Sequence, residues 1–202
     1  MPIIVDKKVK REKILESAIK VFSKTGRTNT KISDIAEEAG IGKGTIYEYF
    51  QSKDEVFSAT FNYFMEKQEE VIARRLNRIH DPLEKLRAFF SAWAEVLEGE
   101  YLDYLEIVLD FWAEGVRKGD DSWKIDLNVL YTENIGYLDK ILQECVTSRE
   151  IKPVDTKLIA AIMLGALDGL LIQWIMDRNA FEIEKATRLF VGTMIEGLKK
   201  EP

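Results

Sequence analysis

The 202-residue chain is long enough for one domain or two closely packed ones, and its 46% hydrophobic residues exclude an intrinsically disordered protein. The net charge of −6 is unevenly distributed, because residues 1–53 hold eleven Lys and Arg against seven Asp and Glu, whereas residues 54–202 hold eighteen against twenty-eight. A basic first part on an acidic remainder is the asymmetry expected of a protein that contacts DNA with one end.

A basic run, KKVKREK at residues 7–13, precedes the first apolar positions. It is either a solvated helix start or an arm that touches DNA. Apolar residues at helical spacing follow over residues 14–22, and the first helix is expected to end at Gly26. Thr30 then opens the next helix, and its hydroxyl could cap backbone N–H groups or bind a phosphate.

The next stretch predicts a helix-turn-helix. Apolar residues recur at three- and four-residue intervals over residues 32–39, and Gly40 permits the left-handed conformation that ends a helix. A second helix is expected over residues 43–49, with Ile46 and Phe50 directed into the core. Five residues remain available to an outside partner: Lys43, Gly44, Thr45, Tyr47 and Tyr49. A lysine, a short hydroxyl and phenols at a helix end suit a phosphate-lined groove.

Ser52 to Glu55 predict the start of a long helix that runs to about residue 79 and connects the basic part to the rest of the chain. His80 lies at its end, and one histidine without a cysteine or second histidine beside it makes no metal site. We therefore expect no bound metal. Asp81, Pro82 and Glu84 fit the first turn of a further helix.

Four carboxylates share one face of the following segment: Asp103, Glu106, Asp110 and Glu114. They indicate either a solvated face or a cation site. A long helix follows from about Trp123 to Val146. With no strand pattern and no repeat, about nine helices account for the chain. The predicted fold class is all-α, with a three-helix DNA-binding domain at residues 1–53 and a larger helical domain at residues 54–202.

Residues 158–176 contain only Asp168 and Gln173 as strongly polar side chains. The segment approaches the roughly 20 apolar residues that a membrane-spanning helix requires. A carboxylate at its middle costs about 2.5 to 3.5 kcal/mol in a membrane, so we expect a buried helix of a soluble assembly and no membrane partner.

The last helix is expected to begin after caps at residues 179–182, and its predicted apolar stripe contains Ala186, Leu189, Phe190, Met194 and Leu198. Four glycines in these two C-terminal helices suggest close helix crossing: Gly165, Gly169, Gly192 and Gly197. Both helices hold more apolar surface than a lone domain can cover, which predicts a homodimer with a four-helix interface. Its candidate residues are Ala161, Gly165, Phe190 and Met194.

Cys145 is the single cysteine and cannot form an intrachain disulfide. Its place in an apolar helical pattern favours a core residue over a redox sensor. The N-terminal apolar run is too short for a signal peptide. We therefore expect a cytoplasmic protein.

The pattern AxxAGIxKGTIYxYFxSKxEVF, at residues 36–57, resembles the DNA-binding signature of TetR-type transcriptional repressors. The likeness is dense over residues 11–57, and beyond them it concerns only length and helical character. Two positions depart from the family. Gly42 stands where a capping serine is frequent, and Arg27 stands where an aromatic is common. Glycine is a tolerated N-cap, and Arg27 would add positive charge beside the DNA surface.

The resemblance implies a ligand-responsive, homodimeric transcriptional regulator, most simply a repressor, that binds a palindromic double-stranded DNA operator. The predicted DNA contacts are Thr30, Lys43, Gly44, Thr45, Tyr47, Tyr49 and Lys53. Lys43 and Lys53 would hold phosphates, while Gly44 and Thr45 would lie nearest the bases. The resemblance also gives residues 54–202 the roles of effector binding and dimerisation.

The implied effector pocket would lie against the long connecting helix. Its candidate walls are the aromatic residues between positions 89 and 174: Phe89, Phe90, Trp93, Tyr104, Phe111, Trp112, Trp123, Tyr131 and Trp174. Ordinary core packing must account for most of them. A small, mainly apolar effector with an acyl or aromatic portion is expected. Asp168 needs a hydrogen-bond donor, either a hydroxyl or Arg of the partner chain or a polar group of the ligand.

Two other classes of protein remain as alternatives. An all-helical enzyme is disfavoured because no Ser or Cys lies beside a histidine, no metal-ligand cluster is present, and GIGKGT lacks the spacing of a phosphate loop. We therefore expect neither catalytic residues nor a cofactor. A helical adaptor that binds only protein would need no basic first part, and salt-dependent DNA affinity would distinguish it from a regulator.

Overall fold

A computed structural model describes residues 7–98, 107–113 and 126–200. Within these ranges the chain forms nine helical segments: α1 (Lys7–Asn29), α2 (Ile32–Ala39), α3 (Lys43–Tyr47), α4 (Lys53–Leu76), α5 (Pro82–Glu98), α6 (107–113), α7 (Leu127–Thr147), α8 (Thr156–Met176) and α9 (Ile183–Leu198). A single antiparallel bridge between Ile151 and Lys199 is the only extended pairing in the same ranges. The all-α prediction is confirmed.

The chain packs as two compact units. The described residues of the first unit are 7–67, 107–113 and 126–127, and those of the second unit are 68–98 and 128–200. α4 contributes to both, since the division falls after Lys67. The packing boundary thus differs from the predicted boundary at residue 53. The functional division into residues 1–53 and 54–202 stays a prediction.

The core of the first unit is built around aromatic rings. Phe22 meets Phe57 edge-on with ring centroids 4.9 Å apart, and Phe57 stacks on Phe111 at 4.5 Å. Phe111 also contacts Phe61 at 4.7 Å. The assignment of Phe111 to an effector pocket in the larger domain is therefore corrected, because its ring fills the core of the first unit. Trp112, its half-buried neighbour on α6, belongs to the same unit.

A glycine ends the regular part of α1, as predicted. Gly26 has φ 71° and ψ 161°, a conformation that residues with a side chain rarely adopt. The remaining residues of α1 form a turn beyond this kink. Substitution of Gly26 is therefore strained, although an added Cβ would meet no atom within 4 Å.

The core of the second unit combines the end of α4 with α5, α7, α8 and α9. Fully buried side chains include Leu86, Leu138, Met163 and Ile195. Cys145 is also fully buried here, and burial raises the pKa of its thiol from 9.0 to about 12. The thiol is therefore neutral at physiological pH, as expected of a packing residue rather than a redox sensor.

The buried stripe of α9 differs from the predicted one. Its buried residues are Ile183, Thr187, Val191, Ile195 and Leu198, whereas the predicted Leu189 is 71% exposed. The helix begins at Ile183 after Glu182, which makes no side-chain cap, so the predicted cap residues do not hold its first turn. Leu198 belongs to both sets, and the predicted Phe190 and Met194 pack partly against the core. Both faces of α9 carry apolar residues, and periodicity alone did not separate them.

Glycine-mediated helix crossing is not observed in the second unit. An added Cβ at any of the four predicted crossing positions, Gly165, Gly169, Gly192 and Gly197, would meet no atom within 4 Å. The glycines therefore make no close helix crossing within one chain, and a crossing between two copies stays a prediction. Instead, α8 and α9 expose large apolar side chains: Leu158, Ile162, Ile172, Met176 and Leu189.

Candidate functional site

The helix-turn-helix forms in the first unit from local interactions. Gly40 adopts the left-handed conformation (φ 65°) after α2, and the Ile41 N–H donates to the Ala36 carbonyl at 3.0 Å. Gly42 is the N-cap of α3. α3 ends at Tyr47, two residues before its predicted end, and Ile46 is fully buried as expected.

The outer side of α3 carries most of the predicted DNA contacts. Lys43 and Gly44 are exposed, Tyr47 is 49% exposed, and Thr45 and Tyr49 are half-buried. The Lys43 ammonium lies 5.9 Å from the centroid of the Tyr47 ring. This short helix therefore presents a cation, a bare backbone position, a hydroxyl and a phenol together.

Thr30 occupies a different environment from the predicted one. It is buried, and its hydroxyl donates to the Gly26 carbonyl at 2.8 Å and lies 2.7 Å from the Thr25 hydroxyl. Lys31 is the N-cap of α2, and its N–H donates to Asp34 at 3.0 Å. The predicted roles of the Thr30 hydroxyl as a cap or phosphate ligand are thus corrected, because its bonds close the turn between α1 and α2.

The Lys53 side chain is hydrogen-bonded to the end of α1. Its ammonium donates to the carbonyls of Arg27 (2.8 Å) and Thr28 (3.1 Å). The Arg27 guanidinium donates to Asp54 Oδ1 at 3.0 Å and lies over the Phe57 ring. The predicted free positive charge of Arg27 is therefore balanced by a carboxylate. The first two residues of α4 instead fasten α4 to α1.

A cavity of about 370 Å³ opens in the second unit. Its walls come from the end of α4 and the following turn, from α5 and from α9. The apolar lining residues are Ile79, Ala88, Phe90 and Val191, and the charged ones are Arg75, Glu84, Arg87, Glu184 and Arg188. Sequence reasoning missed these arginines, since no local motif joins residues from three separate helices.

Among the predicted aromatic walls in the described second unit, Phe90 lines this cavity. Phe89 is buried against Phe90 with ring centroids 5.2 Å apart, while Trp93 and Tyr131 pack against the core. Trp174 is buried on α8. Tyr104 and Trp123 lie outside the described residues. The cavity therefore shares one residue with the predicted pocket, and most of the aromatic set is packing.

Asp168 has a donor within its own chain. The Tyr131 hydroxyl donates to Asp168 Oδ2 at 2.8 Å. Burial raises the pKa of the Asp168 carboxyl, and the hydrogen bond from Tyr131 lowers it by a smaller amount. The expectation that the donor belongs to a partner chain or a ligand is corrected. A same-chain donor favours a structural role for Asp168.

Tyr131→Phe is expected to lower the free energy of unfolding by about 1.5 to 3 kcal/mol at neutral pH, because hydrogen bonds to charged groups contribute this much. The loss should shrink as pH falls through the pKa of Asp168, since a neutral carboxyl accepts a weaker bond. Urea unfolding at several pH values measures this. An equal loss at all pH values would contradict an ionised Asp168 as the acceptor.

Asp168→Asn provides the matching control. The raised folded-state pKa means that the carboxyl stabilises the fold below its unfolded pKa and that this contribution is lost as pH rises through the folded pKa. Asparagine should remove this pH dependence and still accept from Tyr131. Loss of effector response in a variant that still forms dimers and binds DNA would place Asp168 in the pocket instead.

The predicted dimer residues fall into two groups. Gly165 is exposed and Ala161 is half-buried on α8, whereas Phe190 and Met194 pack partly against the core of their own chain. Among the described residues, α8 is the one helix long and apolar enough to cross a membrane by length and composition, a test that core helices of soluble proteins also pass. The absence of a membrane partner stays a prediction.

The structure bears on a metal site only within the residues that it describes, so the predicted absence of a metal stays a prediction. No three His, Cys, Asp or Glu side chains in residues 7–98, 107–113 and 126–200 come together as metal ligands would. Of the four carboxylates that could have formed a cation site, Asp110 is exposed on α6, and the other three lie outside those ranges.

Two family models match this chain. The one described as bacterial regulatory proteins, tetR family, matches residues 14–60, which include α2 and α3. The one described as the C-terminal region of MAATS-type transcriptional repressors matches residues 122–200.

Relatives match almost the whole chain. The fatty acid metabolism regulator protein of Bacillus subtilis is 26% identical over 197 residues, which cover 95% of this chain and 97% of the relative. The HTH-type transcriptional regulator AcrR of Shigella flexneri is 27% identical over 191 residues, covering 92% and 87%. The crystal structure of FadR from Bacillus subtilis in complex with stearoyl-CoA superposes with a TM-score of 0.75 at 25% identity, covering 93% and 98%.

These relatives are transcription regulators, and their likeness spans both compact units. The first family model covers the helix-turn-helix formed by α2 and α3. The chain therefore belongs to the TetR family of DNA-binding transcription regulators.

Proposed function

We propose that this regulator is a homodimeric repressor that binds a palindromic DNA operator in the cytoplasm and is released from it by a small effector with an acyl portion. The observation that carries the proposal is the outer side of α3, where Lys43, Gly44, Thr45 and Tyr47 lie together on a short, well-anchored helix. Such a helix can enter the major groove and meet both phosphates and base edges.

Each residue proposed to contact DNA, on α3 or shortly after it, suits a particular kind of contact. Lys43 is at the first helical position, where a cation can meet a phosphate and release a counterion. Gly44 offers no side chain, so backbone and DNA can approach closely at that point. Thr45 can contact a base edge or a thymine methyl, and Tyr47 and Tyr49 can donate hydroxyl groups. Lys53 keeps a third ammonium N–H beyond its two carbonyl partners.

The exposed apolar side chains on α8 and α9 support a homodimer. Met176 is 78% exposed and Leu189 71% exposed, and Ile162 and Gly165 lie on the exposed side of α8. Exposed apolar patches of this kind mark interaction surfaces, and a twofold dimer would present two copies of α3 to two half-sites. A second copy of this chain is therefore the partner that we propose for this surface.

An acyl effector is supported by two matches: a relative is named as a fatty acid metabolism regulator, and a similar structure is a complex with stearoyl-CoA. An effector releases DNA only if it binds the DNA-free arrangement of the protein more tightly. α4 is the element through which we expect this preference to act, because it is continuous from its bonds with α1 to the cavity-lining Arg75.

The proposal is tested by selecting bound duplexes from a random DNA pool and measuring their affinity by fluorescence anisotropy. A palindromic consensus should emerge, and an acyl compound, tested both as a free fatty acid and as its CoA thioester, should weaken its binding. Lys43→Ala should weaken binding to all sequences and flatten the salt dependence by about one phosphate contact. DNA affinity that does not depend on salt would contradict the proposal and favour a protein-binding adaptor.

Thr45→Val should act differently from Lys43→Ala. Because Thr45 is expected to face base edges, its loss should change the preference among operator sequences by about 1 to 3 kcal/mol at one position of each half-site. Repeating the duplex selection with the variant measures this. Uniform weakening across sequences would remove Thr45 from the base-reading residues.

A further inference from the structure

The cavity in the second unit combines guanidinium groups with an apolar surface. Arg75, Arg87 and Arg188 line it together with two glutamates, so cations outnumber carboxylates in its walls. The other walls include Ile79, Phe90 and Val191. We propose that this cavity binds a small amphipathic anion, which has a carboxylate or phosphate for the arginines and a short apolar chain for the aliphatic and aromatic walls.

Two arginines of the cavity, Arg87 and Arg188, are held by weak pairs that an anion can replace, whereas Arg75 is bonded to Glu95 on α5. Arg87 lies 3.7 Å from Glu84, three residues before it on α5, and Arg188 is hydrogen-bonded to Glu184 on α9. Exposed pairs one helical turn apart contribute only about 0.3 to 0.5 kcal/mol. A ligand carboxylate or phosphate that accepts two guanidinium bonds at once competes effectively with them.

Two helix starts also favour an anion in this cavity. Glu84 lies in the first turn of α5 and Glu184 in the first turn of α9, and both helices exceed three turns. The positive ends of two helix dipoles therefore lie close to the walls. Glu84 and Glu184 partly balance this field, so the arginines remain the main attraction for an anion.

The buried hydroxyl of Thr187 is an independent indication that a ligand binds in this cavity. Thr187 lines the cavity, is 1% exposed, and has no hydrogen-bond partner for its Oγ1 among the residues that the structure describes. An unpaired buried hydroxyl is destabilising. A ligand oxygen beside Thr187 would accept this hydrogen.

The size of the cavity limits its occupant. About 370 Å³ lies at the low end of the 300 to 1,000 Å³ typical of ligand sites. We therefore expect a medium-length acyl chain with one anionic group rather than a complete nucleotide-bearing thioester. The inference rests on the proposed function only for its effect on DNA, because occupancy of the cavity can be measured without an operator.

Isothermal titration calorimetry of the full chain with decanoate, decyl phosphate, decanol and decyltrimethylammonium, all below micelle formation, tests the proposal. At least one of the two anions should bind, and decanol and the cation should bind at least tenfold more weakly. Decanoate and decyl phosphate distinguish a carboxylate site from a phosphate site. Equal affinity for decanol and both anions would overturn the proposal.

Arginine variants localise the binding. Arg87→Gln combined with Arg188→Gln should reduce anion affinity at least tenfold, whereas Arg74→Gln, next to Arg75 but outside the cavity, should leave it unchanged. If the double variant misfolds, Arg188→Gln alone serves, because that side chain is 76% exposed. Unchanged affinity in the folded arginine variants would overturn the assignment of the anion to this cavity.

Thr187→Val should change stability and anion affinity in opposite directions. Removing the unpaired hydroxyl should raise the melting temperature of the free protein, while anion affinity should fall about threefold or more. A purely structural threonine would change stability alone, and that result would overturn its assignment to the site. Because these titrations contain no DNA, failure of anion binding is distinguishable from failure to repress.

Discussion

Gly165→Glu is expected to convert the regulator into monomers and to weaken operator binding by roughly a hundredfold or more. In the proposed dimer, Gly165 lies on the exposed side of α8, where glutamate would place an unpaired charge in an apolar interface. A monomer binds one half-site only, so it loses the roughly hundredfold gain in DNA affinity that comes from binding two linked half-sites. Sedimentation velocity and fluorescence anisotropy measure the two effects.

The fold of one chain should tolerate this change, which makes the test specific. An added Cβ at Gly165 meets no atom within 4 Å, and glutamate is a better helix former than glycine. Gly136→Glu on α7 is the matched control, because that helical glycine also has open space around it and lies outside the proposed interface. A Gly165→Glu protein that remains dimeric would contradict the interface on this side of α8.

Lys53→Ala is expected to weaken DNA binding and also to lower the free energy of unfolding by about 1 to 3 kcal/mol. Its ammonium donates to two carbonyls at the end of α1, and removing a charged donor leaves both carbonyls without that partner. Thermal unfolding and anisotropy, measured on the same preparation, separate the two effects.

Lys43→Ala is the control for Lys53→Ala. The Lys43 side chain is exposed and its ammonium lies beside the Tyr47 ring, an interaction of about 0.5 to 1 kcal/mol at such sites. DNA affinity should therefore fall while the melting temperature changes little. If both variants lowered DNA affinity and neither lowered stability, the bonds from Lys53 to α1 would not contribute to the fold.

The helix-turn-helix could be predicted from the sequence because its determinants are local. Gly40 ends α2 within one turn of the residues that it caps, and Ile46 and Phe50 are buried, as their four-residue spacing predicted. Thr30 was assigned incorrectly from equally local information. A threonine before a helix suits a cap, but the kink at Gly26 brings its hydroxyl to a carbonyl of α1 instead.

The cavity could not be predicted because its residues come from different helices. Arg75, Arg87 and Arg188 each look like solvated helix residues in their own segment, and only packing of α4, α5 and α9 brings them to one cavity. The prediction of Leu189 as a buried residue of α9 was wrong for a related reason. Leu189 and Ile183 satisfy an apolar pattern equally well, and the burial of one or the other is decided by neighbouring helices.

Phe111 has a consequence for the order in which the protein can fold. Its ring fills the space between Phe57 and Phe61, yet it lies more than fifty residues after the end of the helix-turn-helix. The first unit therefore cannot complete its core until the ribosome has synthesised residue 111. A fragment truncated after Lys67 would contain every predicted DNA contact but lack this ring, leaving a cavity whose cost is about 3 to 5 kcal/mol for a large aromatic side chain. A chimera that joins the helix-turn-helix of this chain to another regulator must therefore include α6, or the other regulator must supply a side chain that fills the position of Phe111.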